Sequence, residues 1–144
     1  MGIANLSDPS LFREQAYIAG EWMTSSSGKT LSVTNPATGE VIGTIPACTA
    51  AETQRAIEAA DRAQTRWKTT SPDERADLLM AWYDLILQNA DDLALIMTVE
   101  QGKPLSEANG AVKYGAPFIQ WFAADARRIN GSVITPPQKE PRDL

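Results

Sequence analysis

The chain is 144 residues long, enough for one domain with a real core, and its 43% hydrophobic and 22% charged residues set it apart from disordered, collagen-like and disulfide-scaffold sequences. Thirteen Lys and Arg against eighteen Asp and Glu leave a formal charge of -5, so no overall positive field favours nucleic acid or a membrane surface as a partner. With no histidine, imidazole bases, Ser-His and Cys-His dyads and H-E-x-x-H zinc sites are excluded; the single cysteine forms no internal disulfide and fits a reducing, cytoplasmic setting. Asp8, Arg13 and Glu14 interrupt the first twenty residues, so no signal peptide is expected, and the most apolar run, residues 93–99, is too short to span a bilayer.

The first third reads as short strands and turns. Residues 16–18 and 21–23 flank Ala19-Gly20, a spacing that suits a tight hairpin. After a polar loop, β-rich residues 31–34 and 41–45 enclose Asn35-Pro36-Ala37-Thr38-Gly39, where Pro pre-sets φ and Gly tolerates φ > 0, so a second hairpin is predicted.

The remainder reads as helical. Thr49 with Glu52 three residues on is a capping box and predicts a helix over residues 50–67, with Ala56, Ala60, Ala63 and Trp67 as its apolar face and a Glu58–Arg62 pair on the wet side. Ser71, Pro72 and Glu74 repeat the capping chemistry ahead of Leu78, Leu79, Trp82, Leu85 and Ile86. Asn89 is placed to cap a third helix that turns Leu93, Ile96 and Met97 inward and ends at Gly102, with Pro104 beyond. Leu105, Ala108, Val112, Gly115, Ile119, Phe122, Ala126 and Ile129 recur every three or four residues, which predicts one long helix closed by Gly131 and bent at Pro117. Residues 132–135 then read as a strand, and a charged run, 139–143, leads to a bare end. The fold class expected is therefore α+β, two short β-hairpins followed by a helical bundle.

Few residues suggest chemistry. Cys48 precedes a helix N-terminus, where the dipole can stabilise a thiolate, but no base is available to activate it and packing as a small apolar residue is the expectation. Asp73-Glu74 and Asp91-Asp92 resemble acid–base pairs, yet each falls in a first helical turn, where solvated acidic residues favour the dipole. Trp82, Phe118, Trp121 and Phe122 stand at helical spacing and are expected in a core rather than around a cofactor. Neither G-x-G-x-x-G nor G-x-x-x-x-G-K-[ST] occurs. These residues by themselves lead to an α+β chain without a catalytic constellation.

The run Asn35-Pro36-Ala37-Thr38-Gly39-Glu40, the capped Ala-rich helix ending at Trp67, and Glu100-Gln101-Gly102-Lys103-Pro104-Leu105-Ser106-Glu107-Ala108 together resemble the N-terminal region of the aldehyde dehydrogenase superfamily. Leu11-Phe12-Arg13, Tyr17-Ile18-Ala19-Gly20-Glu21-Trp22 and Phe118-Ile119-Gln120-Trp121-Phe122-Ala123 are most similar to the bacterial succinate-semialdehyde type. The resemblance implies the N-terminal piece of a longer enzyme with an α/β fold, a homo-oligomer that oxidises an aldehyde, succinic semialdehyde first among candidates, with NAD or NADP. It divides the chain into a lead-in, 1–15, the N-terminal part of the cofactor-binding domain, 16–131, with hairpins over 16–46 and helices over 50–130, and the start of a truncated oligomerisation arm, 132–144. No catalytic and no cofactor-binding residue of the family matches a position here, so neither activity nor a bound cofactor is expected of this chain alone. Two sites carry over from the resemblance: Tyr114 and Phe118 at family positions facing the aldehyde channel, and Val33 or Thr34 with Glu100 around a monovalent cation. A non-catalytic module that docks through the long helix is the alternative.

Overall fold

The computed structural model describes residues 3–131, 133, 134, 142 and 143. Strand β1 (Ala16–Ile18) pairs antiparallel with β2 (Glu21–Met23), setting Tyr17 opposite Trp22. Ala19 (φ 58°) and Gly20 (φ 90°) are both left-handed, as a two-residue hairpin turn of the strands' own twist requires. Strand β3 (Thr30–Thr34) pairs with β4 (Val41–Pro46) and carries an irregularity between Val33 and Thr34. Asn35 organises the intervening turn: its Oδ1 accepts the Ala37 N–H at 2.9 Å, its carbonyl accepts the Gly39 N–H at 2.7 Å, and its own N–H donates to the Glu40 carbonyl at 2.9 Å.

Helix α1 (Ala50–Trp67) begins at the expected capping box, where the Ala51 N–H donates to Thr49 Oγ1 and the Thr49 N–H donates to Glu52 at 2.6 Å. Helix α2 (Pro72–Gln88) begins at the second box, Ser71 with Glu74. Asn89 departs from expectation: its Nδ2 turns back to the Leu85 carbonyl at 2.8 Å and so serves the end of α2 instead of capping α3 (Ala90–Gln101). Gly102 ends α3 with φ 79°, and a Cβ there would lie 2.8 Å from Pro36 Cγ, so the β3–β4 turn rests on this glycine.

Helix α4 (Leu105–Asp125) continues through Pro117, although proline leaves the Lys113 carbonyl without its usual amide. It tightens into a 3-10 turn over Ala126–Arg128, so the helix ends before Ile129 and Gly131, and Arg127 reaches back to α2 through Asp73 at 2.6 Å and Asp77 at 3.2 Å. Of the strand expected over 132–135, Val133–Ile134 (β5) is observed, while Ser132 and Thr135 lie outside the described residues. It pairs antiparallel with Arg142–Asp143 (β6), inside the run read as a bare end, so this third hairpin finds its partner within the chain.

The helices meet through small side chains. Ala76 on α2, Ala94 on α3 and Ala108, Ala116 and Ala123 on α4 are buried together with Val112, because alanine faces let helix axes approach closely. The stripe read from sequence is therefore corrected: Leu105 and Ile119 are half-buried, but Phe122 is 59% and Ile129 75% exposed. Leu78, Trp82 and Leu85 of α2 also face outward. On α1, Ala56 is half-buried while Ala60, Ala63 and Trp67 are exposed, and Glu58 takes the Gln54 amide in place of Arg62.

A second cluster joins the N-terminal segment to α3. Leu6 is buried with Leu95 and Val99, and Phe12 and Ile42 pack against them. Asp92 Oδ1 accepts the Ser7 N–H at 2.9 Å and Oδ2 the Asp8 N–H at 2.8 Å. Farther along, the Phe12 ring fills the space a Cβ on Gly43 would need, 2.9 Å away, and Glu14 Oε1 accepts the Thr44 N–H at 2.6 Å.

Candidate functional site

Tyr114 and Phe118 are one turn apart on α4, and their rings meet edge to face with centroids 5.3 Å apart. With Lys113, Pro117, Trp121 and Phe122 they line an open depression of about 460 Å³. All four residues of the aromatic set assigned to a core, Trp82, Phe118, Trp121 and Phe122, are at least half exposed. For the three rings on α4 the reason lies on that helix's opposite face: rings cannot enter the close alanine-lined contact with α2, so they take the outer side. Helical spacing signalled a shared face without saying which face meets a neighbour.

The proposed cation ligands are less tightly gathered. Val33 is half-buried at the irregularity of β3, and Thr34 and Glu100 are exposed. Their elements are neighbours, because Pro36 beyond Thr34 touches Gly102 beyond Glu100. Among the described residues no three His, Cys, Asp or Glu side chains gather as a metal cluster.

Cys48 is exposed at the entrance to α1, which corrects the expectation that it packs as an apolar residue. Among the acidic pairs, Asp73 stays at the surface and binds Arg127, whose guanidinium is held even more firmly protonated by that contact. Asp92 is buried and spends both oxygens on the N-terminal backbone, so it is no solvated capping charge; its donors lie 84 and 85 residues away in sequence, and no local signal could have found them.

Sequence reading also missed the reach of Glu52. Beyond its capping role it accepts the Ser26 N–H at 3.0 Å, tying the loop after β2 to α1, and it is buried. Hydrogen bonds from Ser26 and then Thr49 hold its carboxyl far below the usual carboxylate range. Asp8 is likewise lowered by its bonds from Ser10.

A wider open groove of about 760 Å³ lies between the first hairpin and α1, with Tyr17, Gly20, Ala56 and Ala60 among its walls and Arg62 and Arg66 contributing charge. Among the described residues, Thr49 with Glu52 and Ser71 with Glu74 bring a hydroxyl to a carboxylate as helix caps, and no glycine-rich strand-to-helix turn of the pyrophosphate-binding kind occurs. The α4 rings form an aromatic surface suited to apolar contact. No described helix is long and apolar enough to cross a membrane.

Comparison with known proteins gives this geometry a setting. The profile of the Aldehyde dehydrogenase family matches residues 22–143. A glutarate-semialdehyde dehydrogenase of Pseudomonas putida is 54% identical over 137 residues, covering 95% of this chain and 28% of its own length. A succinate-semialdehyde dehydrogenase (NADP(+)) of Escherichia coli is 47% identical, with the same coverage of 95% and 28%. The crystal structure of succinate-semialdehyde dehydrogenase from Burkholderia pseudomallei superposes with a TM-score of 0.90 at 51% identity, covering 93% of this chain and 28% of that one. The chain therefore spans a little over a quarter of the length of the relatives it matches.

Proposed function

Since the chain belongs to the aldehyde dehydrogenase family, we propose that it serves as the N-terminal portion of an enzyme oxidising a semialdehyde to the dicarboxylic acid with NAD or NADP. Succinic semialdehyde is the first candidate substrate and glutaric semialdehyde the second. The observation that carries the reading is the 54% identity to a semialdehyde dehydrogenase along 95% of the chain. The residues here contribute the scaffold and one wall; the reacting groups and the cofactor site belong to the remaining sequence of such an enzyme.

Within this reading, Tyr114 and Phe118 line the path of the aldehyde. Their exposed, mutually braced rings supply apolar contact, and the Tyr114 hydroxyl adds one polar group at its edge. The carbonyl of Val33 or Thr34 and the Glu100 carboxylate hold a monovalent cation, for which hard oxygen ligands are suitable. Residues 16–131 form the N-terminal part of the cofactor-binding domain, and 132–144 begin an arm through which the enzyme assembles with copies of itself.

The test is NAD(P)H formation from succinic semialdehyde by the purified 144-residue chain. No turnover is expected, since the sequence offers no histidine to activate Cys48 and no glycine-rich dinucleotide motif. Turnover abolished by Cys48→Ser would overturn the division of labour by making Cys48 the nucleophile.

A further inference from the structure

We propose that Lys113 is a specificity-determining residue, drawing in and orienting aldehydes that carry a carboxylate at the far end of the molecule. The inference rests on the channel reading of Tyr114 and Phe118. Lys113 lines the same depression as those two rings and is the one charged side chain among the described residues that does so. Its helical neighbours at three and four residues, Asn109, Gly110, Ala116 and Pro117, offer no carboxylate to neutralise it. Among the described residues the ion pairs are those of Arg127 with Asp73 and Asp77, on the α2 side of α4. The result is a single ammonium group beside an apolar aromatic wall.

A semialdehyde has the matching parts in the matching order. Its methylenes can lie against Phe118 and Trp121 while its carboxylate meets the ammonium group. The chain's net charge of -5 opposes an approaching anion, but charges are screened beyond a Debye length of about 8 Å at physiological ionic strength. The sign of the group at the entrance then outweighs distant carboxylates. Lysine is a mobile point charge and not a rigid fork, so its role is steering and loose orientation, visible in kcat/KM and in salt dependence. An exposed interaction of this kind alters the rate constant about twofold to fivefold.

The experiment uses the full-length enzyme bearing this segment and compares succinic semialdehyde with butanal, which has the same carbon count and no carboxylate. Lys113→Gln should lower the ratio of the two kcat/KM values about twofold to fivefold at low ionic strength, the deficit should fade as salt is added, and Lys113→Arg should restore the ratio. Phe118→Ala serves as the separate control on the channel, read as a change in preference between butanal and a bulkier aldehyde. If Phe118→Ala shifts that preference while Lys113→Gln leaves the semialdehyde ratio and its salt dependence unaltered, the Lys113 proposal is overturned and the channel stands. If neither variant moves its ratio, the channel reading falls and the Lys113 proposal with it.

Discussion

Residues 3–15 and the outer face of α4 both present large apolar side chains, yet Leu6 is buried against Leu95 and Val99 while Tyr114, Trp121 and Phe122 stand in the open. Around Leu6 the backbone is also answered: Asp92 takes the N–H groups of Ser7 and Asp8. Around Trp121 the surroundings are nearly all apolar, and Lys113 supplies the charge. A finished contact pairs burial with satisfied polar groups. The α4 face has the apolar half of that combination, the condition of a surface that meets something else.

Removing one large side chain from each region should separate the two most strongly. Leu95→Ala should cost about 2–5 kcal/mol, because the cavity it leaves is walled by Leu6 and Val99. Trp121→Ala should cost far less and should reduce binding of a hydrophobic dye, since its ring covers no core. Denaturant melts with parallel dye titrations and light scattering check both. Equal losses of stability would mean that the α4 face is part of the chain's own core. A monomeric, dye-silent wild type would favour the self-contained docking module.

A smaller effect separates the two regions by chemistry. Asp92→Ala leaves the Ser7 and Asp8 N–H groups without their acceptor and should cost about 1–3 kcal/mol. Hydrogen exchange at those two amides should speed up before anything on α4 changes. Simultaneous acceleration on both would show the segments to be one cooperative unit.

The smallest effect at neutral pH appears only on acidification. The folded-state pKa of Glu52 lies below its ordinary value of 4.5, so its stabilisation is fully present above that value and is lost as pH falls toward the folded pKa. Wild-type stability should decline below about pH 4.5 with a component absent from Glu52→Gln. An identical acid limb in both proteins would remove Glu52 from the account.

Legibility followed the range of the interaction. Thr49 with Glu52, Ser71 with Glu74, the Asn35–Gly39 turn and Gly102 were readable because donor and acceptor lie within a few residues, and the first two hairpins and the four α-helices followed, while the β5–β6 pairing did not. The burial of α4 was not readable. A stripe through Phe122 and Ile129 and one through Ala116 and Ala123 differ by a fraction of a turn, and the choice depends on the alanine-rich surface that α2 and α3 bring. Asn89 failed for a related reason, since either adjoining helix could use its amide and geometry chose α2. At the candidate site, Tyr114 and Phe118 were named through family resemblance, while Lys113 could be singled out only once the depression was seen.

The Glu14–Thr44 contact has a consequence for solubility. A two-stranded hairpin such as β3–β4 has outward-facing amides on each side, and a row of them invites another chain to add itself as a third strand. At Thr44 that invitation is withdrawn, because Glu14 occupies the amide with an oxygen that carries negative charge, and the Phe12 ring lies over Gly43 next to it. An incoming strand would have to displace both the carboxylate and the ring. The N-terminal segment thus acts as a guard on the side of β4 it covers, and its removal would turn a protected hairpin into a nucleus for aggregation.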